Sequence, residues 1–381
     1  MNNIFIIAAE NSAENYGSKI IDTFREKGNK YRFFGAGGDK FSDRGVDILV
    51  HNRNLSIVGI IEVVSSIFRL KKYMNKFVKE AKKRRADAAI LIDYPDFNLR
   101  LAKKFKKAGI PVYYYISPTI WAWRYSRVKL IKKYTDHIFI IFPFEKDIYE
   151  KEKISHTYTG HPLMNQIKIS MGNKEFREKK NISEDKKVLT LLPGSRISEI
   201  NSLLPEMLET VKILKKKFNL EVFILKARNI DSRIIKDICK TAGIKIHITE
   251  QSEGYNMING SDAVLTTCGT SNLEIAIIGT PFVAVYRVNR LSYLLGKGFL
   301  KINLYSIVNI LLKKGVVTEL IQKDFTAEKC SKAITELLDD PDRKKNLSKE
   351  FRKLKDILSM NMNPSEIIFE KMINDLKTKK I

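Results

Sequence analysis

The chain has 381 residues, 44% of them apolar and 29% charged, with a formal net charge of +25. That length exceeds what one core normally organises, so two domains are expected, and the composition excludes a disordered or fibrous protein. Cys239, Cys268 and Cys330 are odd in number and far apart, which argues against a disulfide framework or a zinc site. No apolar run approaches the roughly 18 residues of a membrane span.

In chain order, residues 1–9 hold a short apolar run ending at Glu10, which reads as a buried strand rather than a signal peptide; the expected location is the cytoplasm. Strand-like runs at 3–10, 31–38, 88–93, 112–117 and 137–144 alternate with amphipathic segments at 16–27, 65–85 and 99–108. That alternation predicts a doubly wound parallel sheet. The polar stretch 168–187 reads as a linker. A second alternation follows, with strands at 188–192, 221–227, 244–250, 263–267 and 282–288, and a charged helical region at 327–380. The expected fold is α/β, two Rossmann-like domains facing a cleft. Residues 1–170 form an N-terminal domain, 186–325 a C-terminal domain, and 326–381 a helical segment.

Ligands of open parallel sheets sit beyond the carboxyl ends of strands. This rule selects Glu10 and Ser12 after the first strand and Asp93 after the run Ala88-Ala89-Ile90-Leu91-Ile92. Gly35 to Gly38 lacks the dinucleotide fingerprint and reads as a tight turn. Asp96 is expected to cap a helix beginning near Phe97 or Asn98. Trp121 and Trp123 flank an alanine and suit either an acyl or sugar pocket or a packed domain face. His161 meets either substrate or a structural hydrogen bond. The remaining histidines show no metal-ligand spacing, and no metal is expected.

Leu192-Pro193-Gly194-Ser195-Arg196 ends a strand in a turn that leads into a helix expected at 199–218. Such a corner presents free backbone N–H groups and a helix N-terminus to an anion, and Arg196 adds a fork suited to phosphate. The same residues also make an ordinary strand–turn–helix corner. Cys268-Gly269-Thr270-Ser271 repeats the pattern: Gly269 permits close backbone approach, and Thr270 or Ser271 can cap the helix. Glu274, one turn in, accepts from a ribose diol or simply complements the helix dipole, worth about 0.3–1 kcal/mol. Two such corners suggest a nucleotide held by its phosphates and sugar.

Taken in order, Leu55-Ser56-Ile57-Val58-Gly59, Ile92-Asp93-Tyr94-Pro95-Asp96-Phe97-Asn98, Ser117-Pro118 through Trp121-Ala122-Trp123-Arg124, Phe142-Pro143-Phe144-Glu145, Gly160-His161-Pro162, Leu192 to Arg196 and Cys268 to Glu274 resemble the lipid-A-disaccharide synthase family. The resemblance runs from about residue 4 to 322, and it implies that 1–170 binds the acceptor lipid and 186–325 the UDP-sugar. It implies an inverting GT-B glycosyltransferase that joins UDP-2,3-diacylglucosamine to 2,3-diacylglucosamine 1-phosphate (lipid X) and releases UDP. It also implies no metal or other cofactor, and peripheral attachment to the cytoplasmic face of the inner membrane. Carried over by motif, Asp93 is the base, with Glu10 and Ser12 beside it. Gly194, Ser195, Arg196, Gly269, Thr270, Glu274 and Asn309 would hold UDP. The chain departs from the family at Ala9-Glu10-Asn11-Ser12-Ala13-Glu14, where two glycines are alanines and an aspartate is Glu14.

Amphiphilic substrates give the basic charge a purpose. Residues 57–67 are mostly apolar and 68–85 alternate apolar residues with nine Lys and Arg, so Ile60, Ile61, Val64, Phe68 and Arg69, with Trp121 and Trp123, are the expected acceptor and lipid contacts. A core-facing helix with a solvated lysine face reads the same way. The expected partners are the two lipid substrates and an anionic membrane surface, with a homodimer possible in principle. Nucleic acid is disfavoured, since no zinc-finger, RNP-like or helix-turn-helix signature is present. Two rivals share these features: another UDP-N-acetylglucosamine enzyme of the same fold (a muropeptide glycosyltransferase or an epimerase), and a non-catalytic basic protein that binds lipid surfaces.

Overall fold

The computed structural model describes residues 2–28, 30–55, 63–121, 125–287 and 304–378. The chain divides into two compact units, Met1–Pro162 with Leu358–Ile381, and Leu163–Ile357.

In the first unit, β1 (Asn2–Ala8), β2 (Tyr31–Gly37), β3 (Asp47–His51), β4 (Ala88–Ile92), β5 (Val112–Tyr115), β6 (His137–Ile140) and β7 (His156–Tyr158) form a parallel sheet of order β3-β2-β1-β4-β5-β6-β7. Its central strands are apolar throughout because helices bury both faces. Phe5, Ile7, Ala89 and Leu91 pack under α3 (Val63–Lys83), α4 (Pro95–Lys107), α5 (Arg127–Tyr134) and α6 (Glu145–Lys151). Ile4, Ile6, Ile90 and Ile92 pack under α1 (Asn11–Glu26) and α2 (Asp39–Ser42). Gly17, inside α1, is required by this packing: a Cβ there would lie 2.5 Å from the Phe41 ring and 2.9 Å from Ile92. Since α1 and α4 leave adjacent strands for opposite faces, the β1/β4 boundary is a topological switch point.

The second unit repeats the plan. Strands β8 (Lys187–Leu192), β9 (Leu220–Lys226), β10 (His247–Glu250), β11 (Ala263–Thr267), β12 (Phe282–Tyr286) and β13 (Thr318–Ile321) form a parallel sheet of order β10-β9-β8-β11-β12-β13. The order reverses between β8 and β11, where Thr266 is registered with Leu192. The helices are α7 (Asn173–Lys179), α8 (Ile197–Lys215), α9 (Ser232–Thr241), α10 (Gly254–Gly260), α11 (Thr270–Ile278), α12 (Ile307–Leu312), α13 (Ala327–Asp339) and α14 (Pro341–Leu358).

Two expected boundaries are corrected. The stretch 168–187 is not a linker. Phe176 of α7 is buried and meets Phe223 edge-on at 6.1 Å, and Arg177 pairs with Asp262 at 2.7 Å, so the segment belongs to the second unit. Nor is 326–381 a unit of its own. Phe351 of α14 stacks on Phe282 of β12, whereas α15 (Pro364–Thr378) returns to the first unit. There Phe369 meets Phe24 of α1 at 4.9 Å, and Tyr113 donates to Asp375 at 3.1 Å.

Candidate active site

In the first unit the carboxyl ends of β1 and β4 are neighbours, with Ala8 registered to Ile92. Beyond these ends stand Glu10, exposed at the start of α1, and Asp93, half-buried. Asp93 and Tyr94 both adopt left-handed backbone, with φ of +50° and +48°. Two consecutive non-glycine residues there cost about 1–2 kcal/mol each. The surroundings hold them in place. The Asp93 N–H donates to Tyr115 O at 2.9 Å, and its carbonyl accepts from Tyr114 Oη at 2.6 Å and Asn98 Nδ2 at 2.7 Å. Tyr94 Oη donates to Leu55 O at 3.0 Å. Burial, and then the charge of Glu10, push the Asp93 carboxyl up to about 6, while the Tyr94 N–H opposes them.

Ser12 is exposed in the first turn of α1. Glu14 is buried and structural: it accepts from Gly38 N at 2.8 Å, Phe41 N at 3.1 Å and Asn52 Nδ2 at 3.1 Å, tying α1 to the β2–α2 turn. Asp96 is not a cap, because α4 already starts at Pro95; it pairs with Arg127 of α5.

In the second unit, β8 ends at Pro193-Gly194-Ser195-Arg196 and β11 at Cys268-Gly269. The first corner is not an open anion site. Glu199 folds back over it, its Oε2 accepting from Ser195 N at 3.0 Å and Arg196 N at 3.3 Å, and its Oε1 pairing with the Arg196 guanidinium at 2.9 Å. Gly194 is required here, with φ of +119° and a hypothetical Cβ only 2.5 Å from Glu199 Oε2. The Arg196 side chain is 76% exposed and points away from the core.

The second corner is the open one. Helix α11 starts at Thr270 with Gly269 before it, so no side chain caps its first amides; Thr270 is exposed, and Ser271 lies 3.2 Å from Thr266 Oγ1 instead. A Cβ on Gly269 would meet no protein atom within 4 Å. Glu274 is half-buried, pushed upward by burial, and accepts from Tyr255 Oη of α10 at 3.1 Å. Tyr286 at the end of β12 feels the charges of Glu199 and Arg196, which brings it beside the first corner.

A family model described as lipid-A-disaccharide synthetase matches residues 4–372. The lipid-A-disaccharide synthase of Myxococcus xanthus is 37% identical over 332 residues, 87% of this chain and 86% of that protein. That of Syntrophus aciditrophicus is 34% identical over 94% of each chain. The chain belongs to the lipid-A-disaccharide synthase family. It is therefore a glycosyltransferase of lipid A synthesis. Among solved structures, UDP-GlcNAc 2-epimerase of Neisseria meningitidis, bound to UDP-GlcNAc, aligns with a TM-score of 0.65 at 12% identity over 98% of this chain and 100% of that one. MurG of Acinetobacter baumannii aligns with a TM-score of 0.58, also at 12% identity, over 98% and 99%. These likenesses establish the fold, two parallel sheets with flanking helices of the GT-B kind.

Within this lipid-A-disaccharide synthase fold the carried-over residues fare differently. Asp93, Glu10, Arg196, Gly269, Thr270 and Glu274 all follow the strands that flank the two switch points. Asn309 is corrected. It is buried, its Nδ2 donates to Val317 O and to Glu319 Oε1, and its Oδ1 accepts from Val316 N and Val317 N, so the amide braces its own loop and is not offered to a ligand. Glu319 also accepts from Tyr305 N and Ser306 N.

Trp121 lies edge-on to Phe144 at 5.1 Å, and Phe144 stacks on Phe142 at 5.5 Å. His161 is buried and held neutral, its pKa pushed down to about 3 by burial. Ile60, Ile61 and Trp123 lie outside the described residues, as does the Val64 side chain. In α3, Met74, Phe77 and Ala81 face the core, so the core-facing reading holds for its second half. In its first half Phe68 is 70% exposed beside exposed Arg69, Lys71 and Lys72. Among the described residues no helix is long and apolar enough to cross a membrane, and no group of three His, Cys, Asp or Glu is placed to hold a metal.

Sequence reasoning missed Glu199, Asn98 and Tyr255. Glu199 was findable, since a Glu three residues past a helix start is a capping-box signal. Tyr255 reaches Glu274 only through tertiary packing, and no local pattern marks it.

Proposed function

We propose that the chain transfers 2,3-diacylglucosamine from UDP to the 6-hydroxyl of 2,3-diacylglucosamine 1-phosphate with inversion. The acceptor oxygen attacks the anomeric carbon as its O–H bond breaks and its proton passes to the Asp93 carboxylate. The bond from that carbon to the diphosphate oxygen breaks, and UDP leaves with the electron pair. The observation that carries this reading is the Glu10–Asp93 pair at the β1/β4 switch point, with Asp93 pushed up to about 6. Such a carboxylate is mostly ionised at pH 7 yet more basic than an ordinary one, which suits a general base. Ser12, exposed two residues beyond Glu10, is assigned a neighbouring acceptor contact.

On the donor side, the uncapped start of α11 at Gly269 and Thr270 meets the diphosphate together with the Arg196 fork, and Glu274, oriented by Tyr255, accepts from the ribose. Gly194 and Ser195 serve by placing Arg196 rather than through amides, since Glu199 occupies the Ser195 N–H. The reading uses no metal: cation and dipole carry the growing charge on the leaving group. The exposed residues Phe68, Arg69, Lys71 and Lys72 of α3 would rest on an anionic cytoplasmic leaflet, each basic residue contributing about 1 kcal/mol.

The test is turnover of the purified chain with lipid X and either UDP-2,3-diacylglucosamine or UDP-N-acetylglucosamine. The expected product comes from the diacylated donor alone, with a β anomeric coupling in its NMR spectrum. Turnover of only the unacylated donor, or an α product, would reject the proposal.

A further inference from the structure

One buried carboxyl joins the loops that follow β5 and β6. Glu145, the first residue of α6, is 1% exposed. Its Oε2 accepts from Phe142 N at 3.1 Å, and it is hydrogen-bonded to the Ile141 N–H and the Ser117 hydroxyl. Ser117 Oγ in turn lies 2.5 Å from Tyr149 Oη and 3.0 Å from Pro118 O. Ser117 belongs to the β5 loop, Ile141 and Phe142 to the β6 loop, and Tyr149 to α6, so the cluster fixes the distance between the loops. A polar group this buried is costly to leave unpaired, which makes the tie stiff.

What the tie supports is a row of rings. Trp121 leaves the β5 loop and meets Phe144 edge-on; Phe144 and Phe142 of the β6 loop are parallel within 6°; Phe142 then meets His161, beyond β7, at 5.3 Å. Trp121, Phe142 and Phe144 are only half-buried, so part of the row faces outward at the carboxyl edge of the sheet. Such a row suits a sugar face or the root of an acyl chain.

We propose that Glu145, through Ser117, is a positioning residue that sets the spacing of the Trp121–Phe144–Phe142 row and thereby the binding of the acylated sugar acceptor. This rests on the assignment of the acceptor to the first unit. Burial pushes the Glu145 carboxyl up to about 8, against the donors at Phe142, Ser117 and Ile141 that oppose it, so it is neutral at pH 7. The titratable groups facing it are Tyr149 of α6 and Tyr158 of β7, both raised by burial and by Glu145 itself, which leaves Glu145 to titrate alone between pH 7 and 9.

The experiment compares Glu145→Ala and Glu145→Gln. In Glu145→Ala the acceptor KM should rise about tenfold, with donor KM and kcat nearly unchanged. Glu145→Gln, which keeps a donor and an acceptor, should restore most of the acceptor affinity and should hold it at pH 9, where the parent chain weakens. In a Trp123→Phe background, Trp121 emission should shift to the red and become more quenchable in Glu145→Ala but not in Glu145→Gln. Should the alanine variant not fold, Ser117→Ala is read in the same way. Unchanged Trp121 emission, or equal rises in both KM values, overturns the proposal. A parent chain that transfers nothing to lipid X marks instead the failure of the functional reading.

Discussion

The two switch points have one topology and opposite chemistry. In each, adjacent parallel strands end side by side, β1 with β4 and β8 with β11, and in each an asparagine on the departing helix holds the last carbonyl of the strand. Asn98 Nδ2 reaches Asp93 O and Ile92 O, and Asn272 Nδ2 reaches Thr267 O at 2.9 Å. The first switch point then sets Asp93, on a strained left-handed backbone, beside the extended Glu10; the second presents glycine, exposed threonine and an arginine fork. The fold thus fixes where chemistry can happen, and the side chains decide whether a proton is taken or an anion is held.

The sharpest way to break this contrast is Asp93→Asn. Turnover should fall about a thousandfold, since a positioned general base contributes on that order. Stability should move the other way. The folded-state pKa of about 6 lies above the ordinary 3.8, so this carboxyl supports the fold at low pH and that support is lost as pH rises through 6. The variant should be more stable than the parent at pH 8 by up to about 3 kcal/mol, and no more stable at pH 3.5, as read by chemical unfolding. In the parent chain, kcat/KM should fall about tenfold per pH unit below 6.

Arg196→Ala tests the other corner. A loss of turnover of about a hundredfold is expected, with weaker UDP binding by calorimetry. Arg196→Lys should recover only part, because the planar fork is lost. Neither change should affect folding, since Arg196 is exposed in its pair with Glu199 and such a pair is worth little.

Much of this was legible in the sequence, and the gaps have physical causes. The central strands of both sheets are continuous apolar runs because both faces are buried, and they were found within a few residues. The missed strands, β3, β7 and β13, all lie at sheet edges and carry mixed, half-exposed residues such as His156-Thr157-Tyr158, which give no clear period. At the sites, the strand-end rule singled out Asp93, and the strand–turn–helix pattern Gly269, without any contact information. It could not tell that the Asn309 amide is consumed within its own loop, or that Glu199 sits on the amides beside Arg196, because both depend on side-chain direction. The span 168–187 looked like a linker because it is polar, yet one buried residue, Phe176, anchors it.

The shared asparagine offers a finer comparison. Asn98→Ala and Asn272→Ala each remove one buried donor and should each cost about 1–2 kcal/mol of stability. Only Asn98→Ala should also lower kcat, by about tenfold, because only there does the carbonyl belong to the residue that takes the proton. Equal losses of kcat in both variants would show that the asparagines merely hold helix to strand.

The smallest expected effect concerns Glu199. Its carboxylate caps α8 and pairs with Arg196, so it stabilises the corner while placing a negative charge beside the group assigned to the diphosphate. Glu199→Gln keeps an acceptor for the Ser195 and Arg196 N–H groups, which preserves the capping box, and removes the charge. UDP should then bind about threefold more tightly at low ionic strength, with the gain fading as salt screens the site. Weaker binding would mean instead that the carboxylate is needed to aim the arginine, and that the order of the Arg196 corner outweighs its charge.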